Sequence, residues 1–321
     1  MKRLAKNVEP RIPSFAKADS KFYDGLMHTL DWSISGSDGE VILGSTHLPP
    51  VQVQPRGVLL ICHGSKGYKD YGIVPGIAHY AAMQGFIAHR FNFSHSGMTN
   101  RLDTFERPDL FEKDTWGRQI VDLRAVANAA HEGELPAFTK SKNLPQIWYG
   151  HSRGGVTVLL TAARAFMPTR YPKLGAMPLP VGVIPCASPH RAFWLHESDK
   201  ETIYAQGYLD SPSQRTKQML RIGLPWLKEI EHDPDAFDPV IAASRVSCPM
   251  EVIHGTADMT VGVDSAEKIA GAAPRATLHI IEGATHVFNT SNPMRLEREP
   301  SVQGRALINR VNAFCDQVVA L

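Results

Sequence analysis

The sequence has little of what would tie a protein to a membrane or to nucleic acid. No hydrophobic run among its 321 residues approaches the roughly 18 apolar residues that a membrane-spanning helix requires. The first residues, MKRLAKNVEPRIPSF, lack the continuous apolar segment of a secretion signal. The formal net charge is only +2, which is too small to attract polyanions strongly. We therefore expect neither a membrane nor a nucleic acid among its partners.

Cysteine is also scarce, and no metal-binding motif is present. The four cysteines, Cys62, Cys186, Cys248 and Cys315, lie far apart, and three of them fall within or beside apolar segments. We expect buried free thiols and a cytoplasmic location, where thiols stay reduced. Histidine is more frequent, at 14 residues, but none forms an HExxH motif or a cluster with zinc spacing. We therefore predict no metal site.

Composition and pattern divide the chain into an arm, two parts of a core and an insertion. Residues 1–22 carry much of the basic excess, and we interpret them as a solvated N-terminal arm. The two parts of the core are residues 23–188 and 241–321. Residues 189–240 lie between two predicted core strands and are too long for an ordinary loop. We interpret this segment as an inserted cap and expect it to be helical.

Strand and helix patterns alternate through most of the core. LMHTLDWSI and VILGSTHL flank the turn residues GSDG, which predicts an antiparallel hairpin. GVLLICHG, residues 57–64, is a continuous apolar run typical of strands that are buried on both faces. Residues 115–133 repeat apolar side chains every three or four positions, and Gly133 can end that helix. This alternation predicts an α/β fold with a mostly parallel sheet and helices on both faces.

One serine stands in a glycine-rich setting. The segment QIWYGHSRGGVTVLL, residues 146–160, begins as an apolar strand, passes through Gly-x-Ser-x-Gly and continues as a helix. This is the pattern of a nucleophile elbow, in which the turn forces Ser152 into a strained conformation at the tip of a strand. Gly150 and Gly154 leave room for the turn, and the start of the helix directs N–H groups toward the serine. We predict that Ser152 is a nucleophile.

A serine hydroxyl needs a base to remove its proton and a carboxylate to orient that base. In this architecture the chain order is serine, acid, histidine. Asp258 follows the strand EVIHG and His286 follows the strand HIIEG, so both belong to the edge of the sheet where the elbow lies. Asp264 is a rival acid, but it begins a helical pattern, which favours a capping role. We predict a triad of Ser152, His286 and Asp258.

The oxyanion of a tetrahedral intermediate needs hydrogen-bond donors. We predict the backbone N–H of Arg153, directly after the nucleophile, and the backbone N–H of Ser65 in the segment HGSKG after a buried strand. The side chains of these two residues are not required for that role. His63 is interpreted as a brace of this loop, and His151 as a residue that packs beside the sheet.

Candidate substrate-binding residues come from one strand end and from the cap. His95 follows a strand end, where it either lines the site or has a structural role. The aromatic residues of the cap either form a small core of their own or line an acyl-binding wall. The residues that we name as candidates for substrate binding are His95, Trp194, Tyr208 and Trp226.

Five segments, CHGSKGYKDYG, RFNFSHSG, GHSRGG, HGTADMTV and EGATHVFN, resemble the corresponding segments of the α/β-hydrolase superfamily. The resemblance is to its dienelactone hydrolase-like and cinnamoyl or feruloyl esterase-like branches. It covers roughly residues 57–100, 114–188 and 246–317, which is most of the core. It implies an α/β-hydrolase fold with an eight-stranded, mostly parallel sheet, and a serine hydrolase that needs no cofactor.

Position by position, the resemblance assigns the nucleophile to Ser152, the acid to Asp258 and the base to His286, with oxyanion donors at Ser65 and Arg153. The sequence departs from the pattern in two places. Dienelactone hydrolases usually carry a cysteine nucleophile, so the serine favours ordinary esters over that lactone chemistry. The residue after His-Gly is often phenylalanine in the feruloyl esterase-like branch, and it is Ser65 here.

From these observations we expect hydrolysis of a small-molecule carboxylic ester, with a short-to-medium acyl or an aryl group, through an acyl-Ser152 intermediate. An acyltransferase would use the same triad, and a ligand-binding protein would keep the fold without turnover, so both alternatives remain open. Dehalogenase or epoxide hydrolase chemistry would need a carboxylate in place of Ser152. The sequence also leaves the oligomeric state open, including a homo-oligomer.

Overall fold

A computed structural model describes residues 29–137, 140–193 and 196–320. The predicted arm, residues 1–22, and the candidate Trp194 lie outside these ranges. The described strands are β1 (Thr29–Ser35), β2 (Val41–His47), β3 (Gly57–Cys62), β4 (Phe86–Asn92), β5 (Gln146–His151), β6 (Gly182–Cys186), β7 (Tyr208–Pro212), β8 (Met219–Gly223), β9 (Met250–Gly255) and β10 (Ala276–Ile281). The described α-helices are α1 (Val74–Met83), α2 (Pro108–Lys113), α3 (Trp116–Glu132), α4 (Arg153–Phe166), α5 (Glu197–Gln206), α6 (Leu224–His232), α7 (Pro239–Arg245), α8 (Asp264–Ala272) and α9 (Val302–Val319).

Eight strands form one sheet in the order β1-β2-β4-β3-β5-β6-β9-β10. The pairs β1/β2 and β2/β4 are antiparallel, and the other neighbours are parallel. The predicted hairpin and the predicted eight-stranded, mostly parallel sheet are thus confirmed. Helix α3 ends at Gly133 as expected, because this glycine adopts the left-handed conformation with φ 75°.

The central strands are buried on both faces, and their side chains divide between two hydrophobic cores. On β3, Val58 and Leu60 belong to the core that also contains residues of α3 and α4. The alternate residues, Leu59 and Ile61, belong to the core that contains residues of α1 and α9. This period of two explains why the strand reads as a continuous apolar run, since both faces are covered. The four cysteines are free and buried, and no helix in the described ranges is long and apolar enough to cross a bilayer.

The segment between β6 and β9 is not purely helical, which corrects the expectation for residues 189–240. It contains α5 and α6, but between them β7 and β8 pair in an antiparallel hairpin from Tyr208↔Gly223 to Pro212↔Met219. A hydrogen bond from Ser213 N to Gln218 O (2.9 Å) closes the turn, and Lys217 within it adopts a left-handed backbone conformation with φ 59°. The two strands are short and half-exposed. Their alternation of apolar and polar residues is therefore a weaker sequence signal than the helical spacing of the flanking segments. The boundaries of the cap as a unit stay a prediction.

A buried ion pair fastens α9 to the sheet. Arg310 on α9 donates from Nε and Nη2 to the two carboxylate oxygens of Glu251 on β9, each at 2.6 Å. Glu251 is 1% exposed. Because removal of one partner leaves a buried charge without its hydrogen bonds, the pair has a large effect on stability when it is broken.

We expect Arg310→Met to lower the free energy of unfolding by about 2–3 kcal/mol, measured by urea denaturation. Arg101→Met is the matched control, because the Arg101–Asp103 pair is exposed to solvent and we expect no measurable change. Equal stability of Arg310→Met and the wild type would contradict the role given to this pair.

Candidate active site

Ser152 lies between the end of β5 and the start of α4, in a conformation that few residues adopt. Its backbone has φ 54° and ψ −121°, and its N–H donates to the Cys186 carbonyl at 2.8 Å. A serine at positive φ is strained unless its surroundings hold it there. The predicted strand, turn and helix are therefore present in the geometry expected for a nucleophile elbow, with the hydroxyl at the tip of the turn.

The neighbouring glycines are required because backbone approaches backbone at this turn. A methyl group on Gly154 would lie 2.5 Å from the carbonyl oxygens of Cys62 and His63. One on Gly150 would collide with the Gly154 carbonyl, and one on Gly155 would collide with the Ser188 side chain. These three positions thus bring α4, β3 and the end of β6 closer together than any side chain permits.

Three side chains from different loops form a chain of hydrogen bonds at this edge of the sheet. His286, in the loop after β10, has Nε2 3.0 Å from Ser152 Oγ and Nδ1 2.8 Å from Asp258 Oδ2. Asp258 follows β9. The rival Asp264 lies in the first turn of α8, where its carboxylate binds Lys268 Nζ at 2.8 Å on the exposed face of the helix.

The Asp258 carboxyl is held in its ionised form. Burial alone raises its pKa, but hydrogen bonds from His254, His286 and the Val261 N–H outweigh that effect and leave the pKa well below its usual value. Oδ1 accepts the N–H groups of Thr260 (2.8 Å) and Val261 (2.9 Å), which leaves Oδ2 to face His286. A carboxylate fixed in this way can orient the imidazole and stabilise its protonated form.

Two backbone segments that contain the predicted oxyanion donors adjoin Ser152. Arg153 is the first residue of α4, so its N–H has no acceptor within the helix. Gly64 packs on the elbow, since a methyl group there would lie 3.0 Å from Ser152 Cβ, and Ser65 is the next residue. The turn from Gly64 to Gly67 is closed by a hydrogen bond of 3.0 Å. Both predicted oxyanion donors therefore belong to backbone that adjoins the nucleophile.

His63 braces that turn. Its Nδ1 donates to the Gly64 carbonyl at 2.8 Å, and its Nε2 accepts the Phe93 N–H at 3.3 Å. Burial lowers the pKa of His63 to about 4, so the ring is neutral and can donate at one nitrogen while it accepts at the other. The brace expected from the sequence is present.

The side chain of Arg153 contacts residues at and just before the start of α3. Its Nη1 lies 3.1 Å from Asp114 Oδ2, and its guanidinium stacks over the Trp116 ring at 4.8 Å. Glu229 of α6 accepts the Gly117 N–H (2.9 Å) and the Thr115 hydroxyl (3.0 Å) at the start of α3. The elbow, the start of α3 and the cap are thus joined through buried polar groups.

The three candidate substrate-binding residues within the described ranges are engaged by other side chains. Trp226 is 1% exposed and stacks on Phe193 with ring centroids 5.6 Å apart, so it belongs to a hydrophobic core. Tyr208 is half-buried on β7, with the Arg221 guanidinium 3.9 Å from its ring centroid. The prediction that Trp226 lines an acyl-binding wall is therefore wrong, because its side chain is buried against a second aromatic ring.

His95 is also occupied elsewhere. It is 2% exposed, and its Nδ1 lies 2.9 Å from Ser94 Oγ and 3.1 Å from Ser37 Oγ. Ser37 and Asp38 line an open groove of about 500 Å³ whose lining includes none of the triad. The structural role left open for His95 therefore agrees with its contacts, and the site-lining role does not.

Sequence reasoning missed His254 and gave His151 only a packing role, although both lie beside the predicted triad. His254 on β9 is fully buried, and its Nε2 lies 2.9 Å from the Val261 carbonyl oxygen and 3.4 Å from Asp258 Oδ2, so that one N–H is shared between two acceptors. His151, in the elbow, has Nε2 2.7 Å from the His286 carbonyl oxygen. Their sequence signal is weak, because a single histidine within an apolar strand has no spacing that distinguishes it. No group of metal-ligating side chains that could hold an ion occurs among the described residues.

A mostly parallel sheet, a strand–serine–helix turn at its carboxyl edge, and a histidine between that serine and a carboxylate define the class of α/β-hydrolases. The sequence model of the alpha/beta hydrolase family matches residues 58–299. The chain belongs to the alpha/beta hydrolase family. No curated protein sequence matches the chain significantly.

Solved structures agree on the fold. Est1E from Butyrivibrio proteoclasticus, in a structure with ferulic acid bound, is similar with a TM-score of 0.66, 16% identity and coverage of 90% of this chain and 100% of that one. The esterase domain of a Rhodothermus marinus protein has a TM-score of 0.57 and 18% identity, and the match covers 91% of this chain and 99% of that one. Dienelactone hydrolase from Anabaena variabilis ATCC 29413 has a TM-score of 0.53 and 16% identity, and the match covers 90% of this chain and 98% of that one. The two branches indicated by the sequence both occur among these structures, and the family match supports hydrolase activity.

We expect Gly154→Ala to destabilise the protein by about 1–3 kcal/mol, because its methyl group would meet two backbone carbonyl oxygens that cannot move independently. Gly271→Ala in α8 is the matched control. A methyl group there meets nothing within 4 Å, and alanine in a helix should stabilise by roughly 0.5–1 kcal/mol. Urea denaturation measures both changes, and equal stability of the two variants would contradict the packing argument.

Stability should also fall in acid because four buried histidines resist protonation. Burial lowers the pKa of His47, His89 and His151 to about 3 and that of His63 to about 4, from a usual value of 6.5. Below pH 6.5 the unfolded chain binds protons at these rings that the folded chain does not, so stability is lost as the pH falls toward 4. The slope approaches ~1.4 kcal/mol per pH unit for each ring.

Urea midpoints at pH 7.5, 6 and 5 measure this dependence. His89→Gln removes one of the four rings and should reduce the slope of unfolding free energy against pH by up to ~1.4 kcal/mol per pH unit, which corresponds to one proton. Midpoints that do not change between pH 7.5 and 5 would contradict the prediction.

Proposed function

We propose that the protein is a serine hydrolase that cleaves carboxylic esters with short-to-medium acyl or aryl groups. The observation that carries the proposal is the unbroken set of hydrogen bonds from Asp258 through His286 to Ser152 Oγ, at 2.8 and 3.0 Å. A base within hydrogen-bond distance of a hydroxyl, and itself oriented by a carboxylate, is the arrangement that activates serine.

In the acylation half, Ser152 Oγ attacks the ester carbonyl carbon while its proton passes to His286 Nε2. The negative charge moves to the carbonyl oxygen, which the N–H groups of Arg153 and Ser65 stabilise. The bond to the alcohol oxygen then breaks, and His286 gives its proton to the departing alcohol. Asp258 stabilises the imidazolium while it carries that proton.

In the deacylation half, water takes the place of the alcohol. His286 removes a proton from the water molecule while the water oxygen attacks the acyl carbon. The bond between the acyl carbon and Ser152 Oγ then breaks, and His286 returns the proton to the serine. The products are the carboxylic acid and free enzyme. No cofactor enters this sequence.

The size of the substrate is inferred from how the cap is fastened. The turn from Gly64 to Gly67, here called the oxyanion turn, contains Lys66. Lys66 donates from Nζ to the carbonyl of Pro212, in the β7–β8 hairpin of the cap, at 2.8 Å. Gln218 at the end of the hairpin turn exchanges two hydrogen bonds with the backbone of Phe105, at 2.7 and 3.0 Å. A roof attached to the core on two sides favours a small ester over a long lipid chain. The ferulic acid bound to Est1E, whose fold is similar, supports including aryl esters.

The test is a panel of p-nitrophenyl esters from acetate to palmitate, with one hydroxycinnamate ester, assayed on wild type and on Ser152→Ala. We expect activity on short-to-medium or aryl esters, and a fall in kcat on the order of 10⁴-fold or more in the variant, because the nucleophile is lost. Ser244→Ala, at an exposed position of α7, is the matched serine control and should keep wild-type rates.

Labelling by a serine-reactive phosphonate separates the alternatives. Labelled Ser152 with no ester hydrolysis, and product formed only when an alcohol acceptor is added, would indicate an acyltransferase. An unlabelled Ser152 in folded protein would indicate a ligand-binding member of the fold. A preference for long-chain emulsified triglycerides would contradict the proposed substrate class.

A further inference from the structure

His151, the residue before the nucleophile, contacts the loop that carries the base. It is the last residue of β5 and is 7% exposed. Its Nε2 lies 2.7 Å from the backbone carbonyl oxygen of His286. Because a carbonyl oxygen only accepts, Nε2 must carry the proton and donate it. Burial lowers the pKa of His151 to about 3, so the ring is neutral at the pH where the enzyme would work.

The ring is confined on both sides. Its centroid lies 4.9 Å from that of His286 and 6.5 Å from that of Phe288. On the other side, a methyl group on Gly64 would lie 3.3 Å from His151 Nδ1, so the ring also packs against the start of the oxyanion turn. His151 therefore fills the space between the two loops that flank the nucleophile.

The loop of His286 has no regular secondary structure to fix it. Thr285 and Asn289 hold each other through two hydrogen bonds, from Thr285 N to Asn289 Oδ1 (2.9 Å) and from Asn289 N to Thr285 Oγ1 (3.1 Å). Phe288 and Asn289 both have positive φ. These contacts set the shape of the loop, and the bond from His151 sets its distance from the elbow.

We propose that His151 is a positioning residue for His286, holding the backbone of the base at a fixed distance from the nucleophile through its Nε2–H. His151 and Ser152 are consecutive, so one rigid turn carries the nucleophile and also the donor that places the base. His151 takes no part in proton transfer, because its donor is engaged by the carbonyl. The inference rests on the proposed function, since it concerns the same triad.

The size of the effect follows from the demands of proton transfer. His286 must remain within hydrogen-bond distance of both Ser152 Oγ and Asp258 Oδ2, and a misplacement of about 1 Å can lower a rate by roughly 10²-fold. Loss of the His151 bond should therefore lower kcat more than it changes KM, because the lost contact places the base rather than the substrate.

Three substitutions separate the hydrogen bond from the packing. His151→Gln places an amide N–H near the position of Nε2, His151→Asn places one near Nδ1, where it cannot reach the carbonyl, and His151→Leu has no donor. We expect kcat to fall about 10²-fold in the Asn and Leu variants and to recover to within about 10-fold of wild type in the Gln variant. A merely structural role would lower the melting temperature of all three without this order in kcat.

A second readout does not depend on turnover. The proton of His286 Nδ1 that is hydrogen-bonded to Asp258 gives a far-downfield ¹H NMR signal, assigned by its loss in His286→Gln. We expect this signal to be kept in His151→Gln and to shift or broaden in His151→Asn and His151→Leu. If the Leu variant does not fold, the comparison of the two amides makes the same test.

The outcomes separate this inference from the proposed function. Wild-type kcat and an unchanged downfield signal in His151→Asn would overturn the positioning role, even if the enzyme is an active esterase. An inactive wild type with an unlabelled Ser152 would overturn the proposed function, while the NMR comparison still decides whether His151 positions His286.

Discussion

Close approach of backbone to backbone around Ser152 is the constraint on which the site depends. Gly154 lies against the carbonyl oxygens at the end of β3, and Gly150 lies against Gly154 itself. A side chain at either position would separate β3, β5 and α4. The same packing holds Ser152 at φ 54° and brings Gly64 onto the elbow, so the strained serine and the position of the turn from Gly64 to Gly67 are consequences of one set of contacts.

Two neutral histidines and the Asp258 carboxylate contact the backbone around that turn. His63 and His151 are held neutral by burial, and each donates to a backbone carbonyl of a loop beside the nucleophile. Asp258 keeps its charge because backbone N–H groups and histidines donate to it. A neutral brace fixes a loop without adding charge beside Ser152 and His286.

Local patterns predicted the features that depend on neighbouring residues in the chain. The elbow motif placed Ser152, and strand ends placed Asp258 and His286, because parallel strands bring their carboxyl ends to one edge. The cap was predicted less well: the β7–β8 hairpin depends on pairing across a turn rather than on a strong local alternation. The burial of Trp226 against Phe193 and of His95 against Ser37 depends on contacts between distant segments, which spacing does not encode.

The segment between β6 and β9 is joined to the elements around Ser152 at two separate points. At one, Lys66 of the oxyanion turn binds the Pro212 carbonyl of the hairpin. At the other, Glu229 of α6 binds the start of α3, next to the Asp114 that pairs with Arg153 of the elbow. A displacement of this segment would therefore disturb both the turn that contains Ser65 and the contacts of Arg153. The two attachments therefore couple the position of this segment to the geometry of the backbone beside Ser152.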